Sequence, residues 1–229
     1  MKIFAHRGYS QKYPESTRLA YEKAIEAGTD GFECDVRLTK DKKVVCFHDR
    51  NLRRIANLKK TVSRSTFAEL QERASAISLN ELLGLAIKNG IDLLIETKHP
   101  VFSSGAIEKE VIKILDSKAE GIREAKIEVR LMSFSYFAVR RMKKSSYPTM
   151  KVIKYLLGFL IRPTKDIAID IELLKKHPGV IQRNSSHRTY VWTVNSKADL
   201  EWLKEKAIFA VITDRPKRAA RILLSSHNG

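Results

Sequence analysis

The stretch Lys2-Ile3-Phe4-Ala5-His6-Arg7-Gly8-Tyr9 decides how the rest of the chain is read. An apolar, extended run stops on a histidine, an arginine and a single glycine. A doubly wound, dinucleotide-binding sheet needs a glycine-rich turn here so that its backbone can approach a pyrophosphate. One glycine flanked by charge does not supply that turn. Downstream, short apolar runs at 30–36, 91–96, 127–133, 149–155, 166–170, 189–194 and 209–213 alternate with helical patterns at 17–27, 79–88, 106–118, 136–143, 197–206 and 216–224. Thr17 caps the first helix and Gly28 stops it. Alternation of this kind builds a parallel sheet. About eight such units in 229 residues, with no Gly/Ser linker between them, predict an α/β fold: one (β/α)8 TIM barrel domain spanning 1–229. Val44–His48 is a further extended run, and the polar stretch 51–77 reads as an irregular, short insertion after strand 2.

The chain carries 43 Lys+Arg against 26 Asp+Glu, a net charge of +17, and is 43% hydrophobic. It is therefore a packed globule with an anionic partner: nucleic acid, an anionic membrane surface or a phosphate-bearing substrate. Nucleic acid is disfavoured, because there is no aromatic-interleaved basic strand, no paired Cys/His set and no recognition helix. Basic clusters such as Arg53-Arg54 and Arg140–Lys144 read as solvated faces. Cys34 and Cys46 lie inside apolar runs, which suits reduced, buried thiols in the cytoplasm. The chain runs directly into a strand-like segment, so no secretory leader is expected. The longest apolar run, Tyr155–Ile161, has seven residues, against the roughly 20 of a membrane span. Lys151, Lys154, Arg162 and Lys165 flank it. Two readings stay open: a core-packed βα segment, or an apolar patch that associates weakly with an anionic membrane surface. The oligomeric state is not legible.

Barrel active sites sit at the C-terminal ends of the strands. Four successive apolar runs end in ionisable groups here: His6-Arg7, Glu33-Cys34-Asp35, His48-Asp49 and Glu96-Thr97-Lys98. Glu33 and Asp35 stand two apart on a strand and point to one face, as do Glu96 and Lys98. Three converging carboxylates repel one another, which calls for raised pKa values or a bound cation. An all-oxygen set selects Mg²⁺ or Ca²⁺ over zinc. His6 and His48 are candidate proton carriers, and Arg7 and Lys98 are candidate phosphate holders. Metal, two histidines and two cations together describe phosphodiester cleavage.

At these residues the chain resembles the glycerophosphodiester phosphodiesterases, whose pattern of HRG, PENT, ExD, HD, ExK, WTVN and ITD-x-P elements recurs in order. Here these read His6-Arg7-Gly8, Pro14-Glu15-Ser16-Thr17, Glu33-Cys34-Asp35, His48-Asp49, Glu96-Thr97-Lys98, Trp192-Thr193-Val194-Asn195 and Ile212-Thr213-Asp214-Arg215-Pro216. The resemblance implies a small (β/α)8 barrel that hydrolyses glycerophosphodiesters to sn-glycerol 3-phosphate and an alcohol. It implies His6 and His48 as acid and base, Glu33, Asp35 and Glu96 as ligands of a divalent cation, and Arg7 and Lys98 on the phosphate. Trp192 then reads as an apolar wall beside the glycerol, and Glu15 as an acceptor behind a histidine or water. Asp214 reads as a helix N-cap, while Asp49 either orients His48 or starts a turn. Ser16 departs from the family's asparagine, and Met150–Ser186 carries no family motif, so the leaving group stays open. Rival readings are a lysophospholipase D or phospholipase C-like enzyme and a catalytically silent, basic phosphate- or membrane-binding module.

Overall fold

The computed structural model describes residues 1–99, 105–183 and 186–224. Nine strands form: β1 (Lys2–His6), β2 (Gly31–Leu38), β3 (Val44–Cys46), β4 (Asp92–Thr97), β5 (Val129–Ser133), β6 (Thr149–Ile153), β7 (Ile167–Asp170), β8 (Thr189–Trp192) and β9 (Ala210–Thr213). Eight of them pair in parallel, and β1 closes the cylinder by pairing with both β2 and β9. This is a (β/α)8 barrel. The ninth, β3, stands apart. β2 runs on past its pairing with β1, and its overhang Val36–Leu38 takes β3 as an antiparallel hairpin partner.

The period-2 alternation of strands sorts side chains into two layers. Phe4, Leu94, Met132, Met150, Val152, Ala168, Tyr190 and Ile212 point inward and fill the lower barrel. The alternate positions face the helices, as in the cluster that joins Ala5, Phe32, Cys34, Leu93 and Ile95 to Tyr21, Leu82 and Val111. Gly31 holds an inward position beside Phe4, whose ring would lie 2.1 Å from any Cβ there. At the N-terminal end, Lys2 pairs with Asp92, and Arg130 bridges Glu128 and Asp166 at 2.6 Å each.

Residues 51–77 are more ordered than their polar sequence suggests. Helices Arg53–Ala56 and Phe67–Ala74 form there, the second with a Thr66/Glu69 capping box. They bury Leu52, Val62 and Leu70 against Val45 and Phe47. A small apolar set spaced across turns, without sustained periodicity, left this order hidden in the sequence.

Candidate active site

The inward positions above the apolar layer carry the charge. His6, Glu33, Asp35, Glu96 and Lys98 share the inner face of β1, β2 and β4, and register sets His6 beside Glu33 and Asp35 beside Glu96. With Arg7, His48 and Trp192 they line one cavity of about 200 Å³. Met132, Phe134, Val152, Lys154, Ala168, Thr193 and Ile212 complete it. Eight of the nine residues singled out in the sequence thus meet in one place. Glu15 lies behind the wall and reaches neither histidine. Its carboxylate pairs with Arg7 at 3.2 Å and with Arg54 at 2.6 Å.

Burial makes the acids costly. Glu33 and Asp35 are 2% and 1% exposed and Glu96 is 6%. Burial and the charge of Asp35 push Glu33 well above the usual carboxylate range, and the same two causes push Glu96 up to about 7. Burial also works against Asp35, but Lys98 and Arg7 outweigh it and hold that carboxyl below its ordinary value. Lys98 Nζ bridges Asp35 at 3.1 Å and Glu96 at 2.7 Å. Arg7 Nε stands 2.8 Å from Asp35 Oδ2, yet neither buried atom finds a hydrogen-bond partner. Ligand atoms of His6, Glu33 and Asp35 fall within 4.8 Å of one another, a spacing that one metal ion can span. Glu96 lies outside that trio, turned to Lys98. Excess buried negative charge and a carboxylate oxygen that lacks a hydrogen bond fit a divalent cation held mainly by carboxylate oxygens.

Each histidine is backed by a carboxylate. His6 Nδ1 lies 2.6 Å from Asp214 Oδ1, and His48 Nδ1 lies 2.7 Å from Asp49 Oδ1. An ionised carboxylate only accepts, so Nδ1–H donates and Nε2 is the nitrogen free to exchange protons. His6 Nε2 sits 3.8 Å from Glu33 Oε2. Burial lowers the pKa of His48. Asp214 in turn accepts from Ser10 Oγ at 3.0 Å and Asn195 Nδ2 at 2.6 Å. Against the cost of burial, the hydrogen bond from His6 holds its carboxyl at about 2. Asp49 accepts from Arg54 Nε at 2.8 Å.

Two expectations change here. Asp214 is not the N-cap of the last helix. Pro216 is that helix's first residue, which leaves the cap position to Arg215, and the Asp214 side chain turns into the barrel mouth. Arg54 is exposed as expected but is not a free charge, because it clamps Glu15 and Asp49 behind the site. The ITD-x-P and WTVN elements do place Asp214 and Asn195 at strand ends, a signal that points to them. Arg54 sits in the insertion, where position within the repeat says nothing. Asp49 orients His48. Ser16 adopts a left-handed φ of 58°, and its buried hydroxyl has no hydrogen-bond partner.

Residues 6–218 match the model of the glycerophosphoryl diester phosphodiesterase family. The chain belongs to that family. It is accordingly a phosphoric diester hydrolase acting on glycerophosphodiesters. A glycerophosphodiester phosphodiesterase of Bacillus altitudinis is 30% identical over 245 residues, covering 96% of this chain and 97% of the relative. The crystal structure of the glycerophosphodiester phosphodiesterase of Thermotoga maritima superposes with a TM-score of 0.79 at 25% identity, covering 95% of this chain and 96% of that one. An Oleispira antarctica phosphodiesterase, solved with the product sn-glycerol-3-phosphate, gives 0.78 at 20% identity over 98% of this chain and 97% of its own, a likeness of fold.

Proposed function

We propose that this protein hydrolyses glycerophosphodiesters to sn-glycerol 3-phosphate and an alcohol, with His6 and His48 as the acid–base pair. The observation that carries the reading is the pairing of two carboxylate-backed histidines across one cavity from buried acids. Glu33, Asp35 and Glu96 would hold a Mg²⁺ or Ca²⁺ ion. When bound, that ion supplies Lewis-acid stabilisation of charge on the phosphoryl oxygens. Arg7 offers the phosphate a fork held in place by Glu15, and Lys98 offers a point charge. Asp214 and Asp49 fix the imidazoles so that Nε2 of each faces the substrate. One Nε2 takes the proton of the attacking hydroxyl or water, and the other gives a proton to the departing alkoxide. Trp192 is held by its indole N–H on the Ala168 carbonyl at 3.2 Å and by an edge-on contact with Phe134, and serves as the apolar wall for glycerol. The product seen with the Oleispira enzyme supports the choice of substrate.

No helix among the described residues is long and apolar enough to cross a membrane. Cys34 and Cys46 are buried and free, which supports a cytoplasmic setting. The deciding experiment follows turnover of glycerophosphocholine. His6→Ala and His48→Ala should each lower kcat at least ~10²-fold with the fold retained by circular dichroism. Chelator should abolish turnover and Mg²⁺ or Ca²⁺ should restore it. Full turnover in either alanine variant, or after exhaustive chelation, overturns the mechanism.

A further inference from the structure

The basic charge of this chain is unevenly placed. Between Glu128 and Asp166 there is no acidic residue in 37 positions, while nine are Lys or Arg. The same segment holds eight of the twelve exposed large apolar side chains among the described residues. They follow two neighbouring strands. After β5 come Phe134 (40% exposed) and Phe137 (69%); after β6 come Tyr155 (72%), Leu157 (64%) and Leu160 (69%). The run Tyr155–Ile161 is therefore not core. Only Phe159 of the short helix Leu156–Leu160 is buried, with Arg162 stacked on its ring at 4.2 Å. Lys151 drops out of the expected rim, because it is 7% exposed and its ammonium is bonded to the Phe134 carbonyl. Arg140, Lys144, Lys154 and Lys165 are exposed, with no ion-pair partner among the described residues. Phe134 and Lys154 also line the active-site cavity, so the patch is continuous with its wall.

We infer that this face docks on an anionic lipid bilayer. Exposed aromatic and leucine side chains at a barrel rim enter the acyl boundary when the surrounding charge is favourable. A set of cations without interspersed acids is complementary to anionic headgroups and to no neutral surface. The docking itself needs no catalysis. Its consequence, that the cavity mouth lies near diesters held at a membrane surface, rests on the hydrolase reading above.

The test is sedimentation of the full chain with phosphatidylglycerol vesicles, with phosphatidylcholine vesicles as the comparison, at low and high salt. Binding should favour phosphatidylglycerol and weaken at least about tenfold as salt rises above 0.5 M. The triple variant Phe137→Ser, Leu157→Ser, Leu160→Ser should lose vesicle binding yet hydrolyse soluble glycerophosphocholine at the wild-type rate. That soluble assay separates failure of docking from failure of the hydrolase reading. Equal binding to both lipids, no binding at low salt, or unchanged binding by the triple variant overturns the inference. So does a lipid-free dimer, seen by light scattering, that the same variant dissolves.

Discussion

The two halves of the barrel are built from the same strand-and-helix unit and end it differently. β1, β2 and β4 lead into His6, Arg7, Glu33, Asp35, Glu96 and Lys98, which ion pairs tie together, and the hairpin strand β3 leads into His48 on the same cavity. β5 to β8 offer the same cavity Met132, Phe134, Val152, Ala168 and Trp192, with Lys154 after β6 as a single cation among them. Proton transfer and anion binding need groups held within hydrogen-bond reach, so they are concentrated on four neighbouring strands and braced from behind. Contact with the rest of a substrate needs only area and shape, which strands can vary without disturbing the chemistry. On the proposed function this is a division of labour by strand: one side would fix which bond breaks and the other which molecule enters.

The sharpest way to break that division is to remove a brace. Asp214→Asn keeps the size of the side chain and removes the charge that orients His6. It should cost kcat about 10–100-fold, the range for a partner that orients a functional histidine, with KM little changed. Asp49→Asn should cost less, because its histidine is more open, with 34% side-chain exposure against 17% for His6. Steady-state kinetics on glycerophosphocholine reads both. An Asp214→Asn enzyme with full kcat would reduce the His6 pair to packing.

A second test uses stability alone. Glu33 and Glu96 have folded pKa values above the ordinary carboxylate value of 4.5, Glu96 at about 7. The metal-free folded protein therefore holds protons on these groups that the unfolded chain releases, and it loses stability as pH rises from about 5 to 8. Asp35 shifts the other way. Its contribution is intact above its unfolded value and fades only in acid, outside this window. Differential scanning calorimetry on chelated protein should show Tm falling by about 5 °C between pH 5 and pH 8, and Mg²⁺ or Ca²⁺ at pH 8 should restore it. A flat metal-free Tm would mean that the acids are neutralised by Arg7 and Lys98 alone.

The smallest effect belongs to the other half. Val152→Ala trims the apolar wall without touching a charged group. It should raise KM a few-fold and leave kcat near wild type, the signature of lost uniform binding. A large fall in kcat would erase the distinction between the halves.

The same division explains what could be read before any coordinates. Charged residues at the ends of β1, β2 and β4 interrupt apolar runs, so His6, Glu33, Asp35 and Glu96 are conspicuous. Met132, Val152 and Ala168 continue their runs and look like core, which is why that part of the wall was invisible. The barrel was legible because the apolar runs recur at regular intervals. β3 was legible as extended chain but not as a strand outside the barrel, since pairing partners are not written in local pattern. Asp214 was misread because Pro216 nearby makes a helix start the obvious use for an aspartate. Arg54 was missed because only the folded insertion brings it to Glu15 and Asp49, 39 and 5 residues away along the chain.

The bond between His6 and Asp214 joins the first strand's end to the residue after the last strand across 208 positions. During synthesis the histidine emerges from the ribosome 208 residues ahead of the carboxylate that braces it. A chain interrupted between Lys98 and β9 carries Glu33, Asp35, Glu96 and His48 complete, yet lacks the strand that closes on β1 and the carboxylate that braces His6. The brace on His6 thus forms only once β9 has been delivered, and in a cell-free synthesis reaction activity should appear only after that strand is made.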